Sequence, residues 1–496
     1  MAGALAAATT PVHNVPPVIS IDSTVGATRA RGIGSEAASV DETTDVIASV
    51  RPEFKSTHQG PRFSYDLMAA ATFQAHSEDS ADNAVLPDVH ATMKSTLVDR
   101  WLYVDADAFV RYAESDPFGA RVDSATGVNR STEAGYLVRP SLEHEFAPNA
   151  SVLLRDEFGT TASDATDRTR LTSNRVLFQV ERKPVPLGAS ASYSRLDNRT
   201  TGGQGDSRYT LETARIGGAL KVGADVEVGI DAGVDHSDDH FLDSRTDALY
   251  GGRVSWSPGP RTSARLELEH RYFGLSGRVE ISHRTPFMAI GLSAERQPVD
   301  SMNSLGTVSQ GADLRDFLNS ILTTRYPDPT LRSGVVDNLV SQRGLNAKSD
   351  GAVNILGSYP QLNTTVQLNW TLLGRRDTFS ASGYSSTSRA ITLASEPLSG
   401  LGSNDSRQRG ASFQYNHRLG LQMSAGLVGS WSRIEGLGVR DGELSTEQKY
   451  RLSLVDALSP HSDFSVALQW TRFTTNALGQ PSFDATLGVV GLAHRF

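Results

Sequence analysis

The sequence predicts an all-β protein: a transmembrane antiparallel β-barrel of about 22 strands, within a range of 18 to 24, with a short two-helix insert in one long loop. Three observations support this fold class. Apolar and polar residues alternate from one end of the 496-residue chain to the other. Short turns alternate with longer polar loops, and only one segment changes to helical spacing.

The alternation describes strands with one apolar and one polar face. In VEVGIDAGV, residues 226–234, valine, isoleucine and alanine occupy one face, and acidic residues and glycines occupy the other. In ARLELEHRY, residues 264–272, His270 is the one polar residue on the apolar face. Several runs reach about nine residues, the length a tilted strand needs to cross a bilayer. A soluble β-sandwich also alternates, but its strands average about five or six residues.

The connections between these strands are of two kinds. Long connections are rich in Asp, Ser, Gly and Asn, which is typical of the outward loops of an outer-membrane barrel, whereas its other side carries short turns. A tight connection at 273–275 is an exception, because a long loop is expected there. The predicted short turns are 59–61, 147–150, 184–188, 223–225, 258–261, 285–287, 374–377, 418–420 and 459–462.

The helical insert is predicted within residues 300–360. Helical spacing appears at 312–321, with Leu314, Phe317, Leu318 and Ile321 as its apolar positions, and again at 328–343, with Leu331, Val335 and Leu339 as the predicted apolar face. The second helix has Asp328 as N-cap, Pro329 in its first turn, and Gly344 just past its end, with Leu345 placed for a closing hydrophobic contact. The insert either lies on the extracellular side as a decoration or folds into the lumen as a constriction, and the sequence leaves both open.

Composition excludes several classes of function. No stretch approaches the roughly 18 apolar residues of a membrane helix. The net charge of −9 arises from 56 acidic and 47 basic residues scattered along the chain, so no basic field is present to bind nucleic acid. The chain has no cysteine and no GxSxG, HExxH or phosphate-binding loop. We therefore expect no enzyme activity, no cofactor and no metal.

The two ends of the chain give separate predictions. Residues 1–16 are small but lack the charged and long apolar regions of a signal peptide, so we interpret them as a signal-peptide remnant or a disordered terminus before a barrel at 17–496. A cytoplasmic protein with an alanine-rich tail is the alternative. The last strand is predicted to place four residues on the lipid face, as an assembly signal for the outer-membrane barrel insertion machinery: Val490, Leu492, His494 and Phe496.

Charged residues on the polar faces are predicted to line the lumen. An Arg or Lys facing lipid at the midplane costs about 2 to 4 kcal/mol, which favours the inward assignment. The lining either tunes what passes or is a structural lattice of ion pairs. The predicted lining residues are Asp105, Asp107, Arg111, Glu227, Asp231, Arg265, Glu267, Glu269, Arg271, Arg278, Glu280 and Arg284.

Two further groups of residues are candidate sites, one for a cation and one for acid/base chemistry. The run DHSDDH at 235–240, with Asp243 nearby, contains ligand types that could hold a divalent cation, but a solvated loop tip is the more common context for such a run. Glu267 and Glu269 resemble an acid/base pair, yet alternate residues of one strand share a face for structural reasons alone. Both sites are therefore minor hypotheses.

One stretch resembles a known family. The sequence DRWLYVDADAFV at 99–110, followed by SDPFG at 115–119, resembles the outer-membrane β-barrel family associated with the PEP-CTERM/exosortase system. Its members carry a similar Trp-Leu-Phe-Val-Asp-Ala stretch and then Ser-Pro-Phe-Gly; here Tyr103 replaces the Phe and Asp116 interrupts the second motif. DPTLR at 328–332, QRGL at 342–345 and GRRDT at 374–378 are also similar, and the resemblance extends from about Asp41 onward.

The resemblance implies a location in the outer membrane of a Gram-negative bacterium and a gene neighbourhood of exopolysaccharide synthesis and protein sorting. The implied partners are outer-membrane lipid, exopolysaccharide and periplasmic export components. The first functional hypothesis is a porin-like passive conduit for exopolysaccharide or envelope glycan with an occluded lumen. The second is a non-conducting barrel that anchors polysaccharide or sorted proteins at the cell surface.

Overall fold

The fold is a closed 22-stranded antiparallel β-barrel, which confirms the predicted class and strand number. It is seen in a computed structural model that describes residues 13–33, 42–77, 83–121, 129–164, 169–202, 206–239, 242–299, 310–342, 345, 348–353, 361–391, 405–478 and 480–496. In these ranges no helix is long and apolar enough to cross a membrane.

The barrel strands contain from 10 to 20 residues. They are β1 (His13–Gly32), β2 (Thr43–Gln59), β3 (Phe63–His76), β4 (Ala84–Val98), β5 (Leu102–Ala113), β6 (Ser131–Ala147), β7 (Ala150–Ser163), β8 (Arg170–Arg182), β9 (Leu187–Thr201), β10 (Ser207–Val222), β11 (Val226–Asp239), β12 (Leu242–Gly259), β13 (Thr262–Arg271), β14 (Gly274–Arg284), β15 (Met288–Val299), β18 (Gln361–Leu373), β19 (Asp377–Ala390), β20 (Ser406–Arg418), β21 (Met423–Gly436), β22 (Leu444–Ser459), β23 (Ser462–Thr475) and β24 (Phe483–Arg495).

The first and last strands close the barrel. Residues Ser20 to Gly32 of β1 pair in antiparallel register with Arg495 to Phe483 of β24. β1 begins at His13, ahead of Pro17, where the barrel was expected to begin. Full pairing at this seam leaves no free strand edge there, so all strands share one continuous wall.

The two ends of the barrel differ as expected. Each connection from an even-numbered strand to the next barrel strand is short, and both His13, the first described residue, and Phe496 lie at this end, which we call the turn end. The opposite end is the loop end. A turn at 99–101, absent from the predicted set, joins β4 and β5. The tight connection between β13 and β14 lies at the loop end and shortens both strands.

Large apolar side chains cover the outer face. Along β11 and β13, Ile230 is 70% exposed and Leu268 43% exposed, while the residues between them point inward. His270 lies on the outer face, where its ring stacks on Tyr250 at a centroid distance of 5.1 Å.

Exposed aromatic residues form a band near each end of the outer face. Those near the turn end include Trp101, Phe146, Trp256 and Phe287, and those nearer the loop end include Tyr136, Tyr250, Trp431 and Tyr450. Two aromatic girdles with aliphatic residues between them are typical of membrane barrels.

The insert between β15 and β18 contains two helices and a small two-stranded sheet. These elements are β16 (Gln310–Asp313), α1 (Leu314–Leu322), α2 (Pro329–Gln342) and β17 (Lys348–Asp350). Asp313 caps α1, because its carboxylate accepts a hydrogen bond from the Arg315 N–H at 2.8 Å.

The second helix follows its predicted capping pattern where the structure describes it. The Asp328 carboxylate accepts the Leu331 N–H at 3.3 Å. The Leu345 N–H bonds to the Val340 carbonyl at 2.9 Å, and the Leu345 side chain is buried. Gly344, the predicted residue past the end of this helix, lies outside the described residues.

Candidate functional site

The candidate site is the lumen, where charged residues of the inner face pair across strands. Asp107 bonds to Arg139, and Arg111 to Glu133 at 3.1 Å. Asp105 and Glu227 lie on the same faces as Asp107 and Asp231 by strand alternation. Further inner pairs are Asp231 with Arg253 at 2.9 Å, Arg278 with Glu295 at 2.5 Å, and Arg265 with Glu280 at 4.0 Å. The inner surface is thus a lattice of opposite charges.

One pair of this lattice is fully buried. The Arg271 guanidinium donates to both carboxylate oxygens of Asp235, at 2.8 and 2.9 Å, and Thr213 donates to the same carboxylate at 2.8 Å. The side chain of Asp235 is 0% exposed and that of Arg271 14%. Both residues sit on strands that are separated by β12, so the pair ties β11 to β13 across the inner face.

These contacts also locate the possible cation ligands at 235–240. Asp235 points inward, whereas His236 lies on the other face and bonds to Thr246 at 2.8 Å. His240 and the side chain of Asp243 lie outside the described residues. Within the part of the chain that the structure describes, no group of three or more His, Asp or Glu side chains is arranged to hold a metal ion.

A second ion pair joins two strands that lie three strand spacings apart in the sheet. Arg215 of β10 reaches Glu269 of β13 at 2.9 Å, over the inner face of β11 and β12. Gly233 on β11, in register with Arg215, lies so close to β10 that a β-carbon there would overlap the Ala214 carbonyl. Glu269 is therefore held by an arginine, and it shares the inner face of its strand with Glu267.

The helical insert folds into the lumen and reaches the turn end. Arg284, at the turn end of β14, donates to the Ser320 carbonyl of α1 at 3.0 Å. A β-carbon at Gly291, on the inner face of β15, would lie 3.4 Å from the Phe317 ring. Leu373, the last residue of β18, packs against the same helix pair. The insert thus starts at the loop end and descends along β15 and β18.

The two helices have an apolar core of their own inside the polar barrel. Leu318 is 0% exposed and Val336 1% exposed, and they form one cluster with the other buried residues of the pair. The predicted face of the second helix was partly wrong, since Leu331 is 66% exposed whereas Val336 and Val340 are buried. A packed core makes the insert a folded unit, and it is not a loose loop.

A pocket of about 360 Å³ lies where α1 meets the turn end. Asp316, Phe317 and Ser320 of the helix face Arg284 and the 258–262 region across it. Burial, reinforced by the neighbouring charge of Asp313, raises the pKa of the Asp316 carboxyl. This carboxyl therefore keeps its proton to a higher pH than a free aspartate, which lowers the cost of placing it against the wall.

A second segment crosses the lumen near the loop end. Residues 115–121, which contain the SDPFG motif, leave β5 and reach the far wall. Phe118 is 0% exposed and packs with Ile434 and Ala477, and the Arg440 guanidinium lies 4.0 Å from its ring centroid. The Phe118 carbonyl accepts a hydrogen bond from Ser445 at 2.7 Å.

This segment is held in a fixed shape by Asn129. The Asn129 amide oxygen accepts from the Ser115 and Asp116 N–H groups, and its nitrogen donates to the Asp116 and Ala120 carbonyls. A β-carbon at Gly119 would lie 2.5 Å from the Asn129 side chain, so the final glycine of the motif is required by close approach.

Arg121 connects this segment to the insert. Its guanidinium donates to the Gly351 carbonyl of the insert and to the Tyr384 hydroxyl of β19, both at 3.0 Å, and its N–H donates to Glu447 at 3.0 Å. The two inner segments therefore contact each other as well as the wall. Sequence reasoning did not identify Arg121, because nothing near it in the chain marks its partners.

A cavity of about 460 Å³ lies against strands β8 to β10 and β13 to β15, beside the insert, which packs on β15 and β18. Of the predicted lining residues, Glu267, Glu269, Arg271 and Arg278 meet here. The others lie elsewhere on the inner wall, and Arg284 contacts the insert.

The end of the chain lies at the turn end of the outer face. Val490 and Leu492 are about half exposed, and Phe496 is 70% exposed. The His494 ring meets the Phe496 ring edge to face at a centroid distance of 4.6 Å, and the Phe496 N–H bonds to the Ile19 carbonyl at 2.8 Å. Phe496 therefore extends the apolar outer face to the last residue.

Phe496→Ser, or a polar tail added after residue 496, should lower the membrane-inserted fraction, because the first change removes the aromatic ring from the outer face and the second leaves that ring no longer terminal. Heat-modifiable migration of outer-membrane fractions measures this fraction. Phe287→Ser is the matched control, since Phe287 is 69% exposed at the same end but internal in the chain. Equal insertion of the terminal variants and the control would contradict the prediction.

Comparison with known proteins identifies the fold and no family. No protein-family model matches the sequence, and no curated protein matches it either. The FrpB iron transporter from Neisseria meningitidis, F5-1 variant in its apoprotein form, aligns with a TM-score of 0.51 at 8% identity, over 96% of this chain and 81% of that chain. Its F3-3 variant aligns with a TM-score of 0.50, 8% identity and the same coverage. Both are outer-membrane barrels, and the similarity concerns the fold.

Proposed function

We propose that this protein is an outer-membrane barrel of a Gram-negative bacterium that serves as a passive, occluded conduit for exopolysaccharide or another envelope glycan. The observation that carries the proposal is the packed helical insert inside a polar, hydrated lumen. A barrel of 22 strands without an obstruction would be a large leak, and barrels of this size generally have a plugged lumen. The outer apolar face and its aromatic girdles support the location.

The cargo rests on the family resemblance and on the chemistry of the wall. The SDPFG motif that carries the resemblance is the segment that crosses the lumen, so the shared residues are placed on the path of any cargo. The paired charges of the wall still have many N–H groups and oxygens that can form hydrogen bonds with hydroxyl groups of a cargo. Because the charges are paired, the wall has no strong preference for either cations or anions. A hydrated, uncharged polymer suits such a lining. In this proposal the insert moves aside when polymer passes.

Deletion of the gene tests the proposal, with polysaccharide separated into periplasmic, surface-bound and secreted pools. Export through this barrel predicts that polymer accumulates in the periplasm of the deletion strain and that the intact gene restores release. Normal amounts of surface and secreted polymer in the deletion strain would contradict an export role.

A non-conducting surface anchor is the second candidate. It is favoured by the hydrogen bonds that hold the insert and the 115–121 segment in place, from Arg284 to the Ser320 carbonyl and from Arg121 to the Gly351 carbonyl. Under this alternative, polymer leaves the deletion strain normally but is shed instead of staying attached. The same three pools therefore separate the two candidates.

A further inference from the structure

The cavity against β8 to β10 and β13 to β15 has the features of a ligand site. Its volume of about 460 Å³ falls within the range of about 300 to 1,000 Å³ that is usual for small-molecule pockets. It lies between strands that are not neighbours, so its walls converge from several sides. The small residues Ser192 and Ser194 line it on β9.

The four arginines that line this cavity are already paired with carboxylates, and the remaining lining carboxylate, Glu267, lies in register with Arg278. Arg215 binds Glu269, Arg271 binds Asp235, and Arg278 binds Glu295. Arg175 likewise lies 3.5 Å from Glu157. An ion seeks an uncompensated opposite charge, and these pairs leave little of it. The lining therefore favours a ligand without net charge.

The same groups can still bind hydroxyl groups. A guanidinium has five N–H donors and a carboxylate about four lone-pair sites, and a single partner does not use them all. The Nε atom of Arg215 is buried and has no hydrogen-bond partner. Ser192, Ser194 and Gln179 add hydroxyl and amide groups, and Leu196 and Tyr209 supply an apolar surface beside them. Hydroxyl groups on a ring with an apolar face match this combination.

Two tyrosines close the cavity toward the loop end. The hydroxyl groups of Tyr209, on β10, and Tyr272, in the turn after β13, lie 2.5 Å apart, and both side chains are buried. This bond spans the inner face of β11 and β12 above Arg215 and Glu269. The tight connection between β13 and β14, unexpected at the loop end, is what brings Tyr272 down to this level.

We infer that this cavity binds a neutral, hydroxyl-rich ligand of the saccharide class, which enters from the lumen and is held beneath Tyr209 and Tyr272. The inference deepens the proposed function and rests on it for the source of the ligand. A polymer passing along this part of the wall would place one or two of its rings in the cavity before the tyrosine pair opens.

Protection of a single cysteine from a water-soluble thiol reagent tests this site, because the chain has no cysteine of its own. Ser194→Cys places the thiol in the cavity. Ser430→Cys is the matched control. Ser430 lies on the inner face of β21, paired with Lys449 of β22, and it is not among the residues that line the cavity. The probe is cellobiose, added to the purified full-length barrel in detergent.

Cellobiose should slow labelling at position 194 in a saturable manner and leave position 430 unchanged. Gln179→Leu in the Ser194→Cys background should raise the half-protecting concentration about fivefold, the effect of one lost hydrogen bond. Equal labelling at 194 with and without cellobiose would overturn the inference. Protection by inorganic phosphate in place of cellobiose would overturn the assignment of a neutral ligand.

The site and the proposed function can fail separately. Protection at 194 together with normal export in the deletion strain supports the site and contradicts the conduit. Impaired export without protection at 194 supports the conduit and overturns the site. A folded state of each variant is verified by heat-modifiable migration before labelling.

Discussion

Replacing residues 300–360 with a short glycine-serine linker should raise the single-channel conductance of the purified protein in planar bilayers. The helices α1 and α2 occupy the lumen from the loop end to the turn end, where α1 contacts Arg284 and Leu373. Their removal leaves the ladder between β15 and β18 complete, because its residues Met288 to Val299 and Gln361 to Leu372 are retained. The barrel wall should therefore persist while its contents are lost.

Point variants test whether the packing of the insert, and not only its presence, limits the conductance. Leu318→Asp places a carboxylate in a fully buried position and should unfold the helix pair, since burying an unpaired charge costs several kcal/mol. Leu331→Ser changes a residue of the same insert that is 66% exposed and should leave conductance unchanged. Conductance of the deletion variant equal to that of the intact protein would contradict an obstructive insert.

Asp235→Ala should destabilise the barrel by about 3 kcal/mol, measured as a lowered urea midpoint of unfolding in lipid vesicles. The change leaves Arg271 buried and without its carboxylate, and it also removes the acceptor of Thr213. The combined variant Asp235→Ala with Arg271→Met should recover most of this loss, because no uncompensated charge then remains.

An exposed pair of the same lattice provides the control. Arg265 and Glu280 lie 4.0 Å apart with side chains about half exposed. Glu280→Ala should therefore change stability by less than about 1 kcal/mol. A cost for Glu280→Ala as large as that for Asp235→Ala would mean that burial does not distinguish the pairs of the lattice.

The period-two pattern was sufficient to predict the barrel. Alternation is a local property, so runs such as 226–234 and 264–272 show their two faces without knowledge of their neighbours. The same logic assigned His270 to the outer face, and its stacking on Tyr250 explains how a polar ring is accommodated there. The strand number followed from counting runs and turns.

Contacts between distant parts of the chain could not be predicted in this way. The bonds from Arg215 to Glu269, from Tyr209 to Tyr272, and from Arg121 to Gly351 join elements that are not adjacent in the sheet or in sequence. Helical spacing identified the insert but not its position, because an amphipathic helix buries its apolar face equally well on a partner helix inside or outside a barrel. Leu331 was assigned to the buried face for the same reason.

A reversible lock on the insert tests most directly whether polymer passes through this lumen when the insert moves aside. Gly291→Cys and Phe317→Cys place one thiol on the wall and one on α1, where the native residues are in contact. A short thiol cross-linker with a reducible spacer then fixes the insert in cells that carry only this variant, and the single-cysteine variants are the controls. We expect polymer to accumulate in the periplasm of cross-linked cells and release to resume on reduction. Undiminished surface and secreted polymer in cross-linked cells would contradict the account.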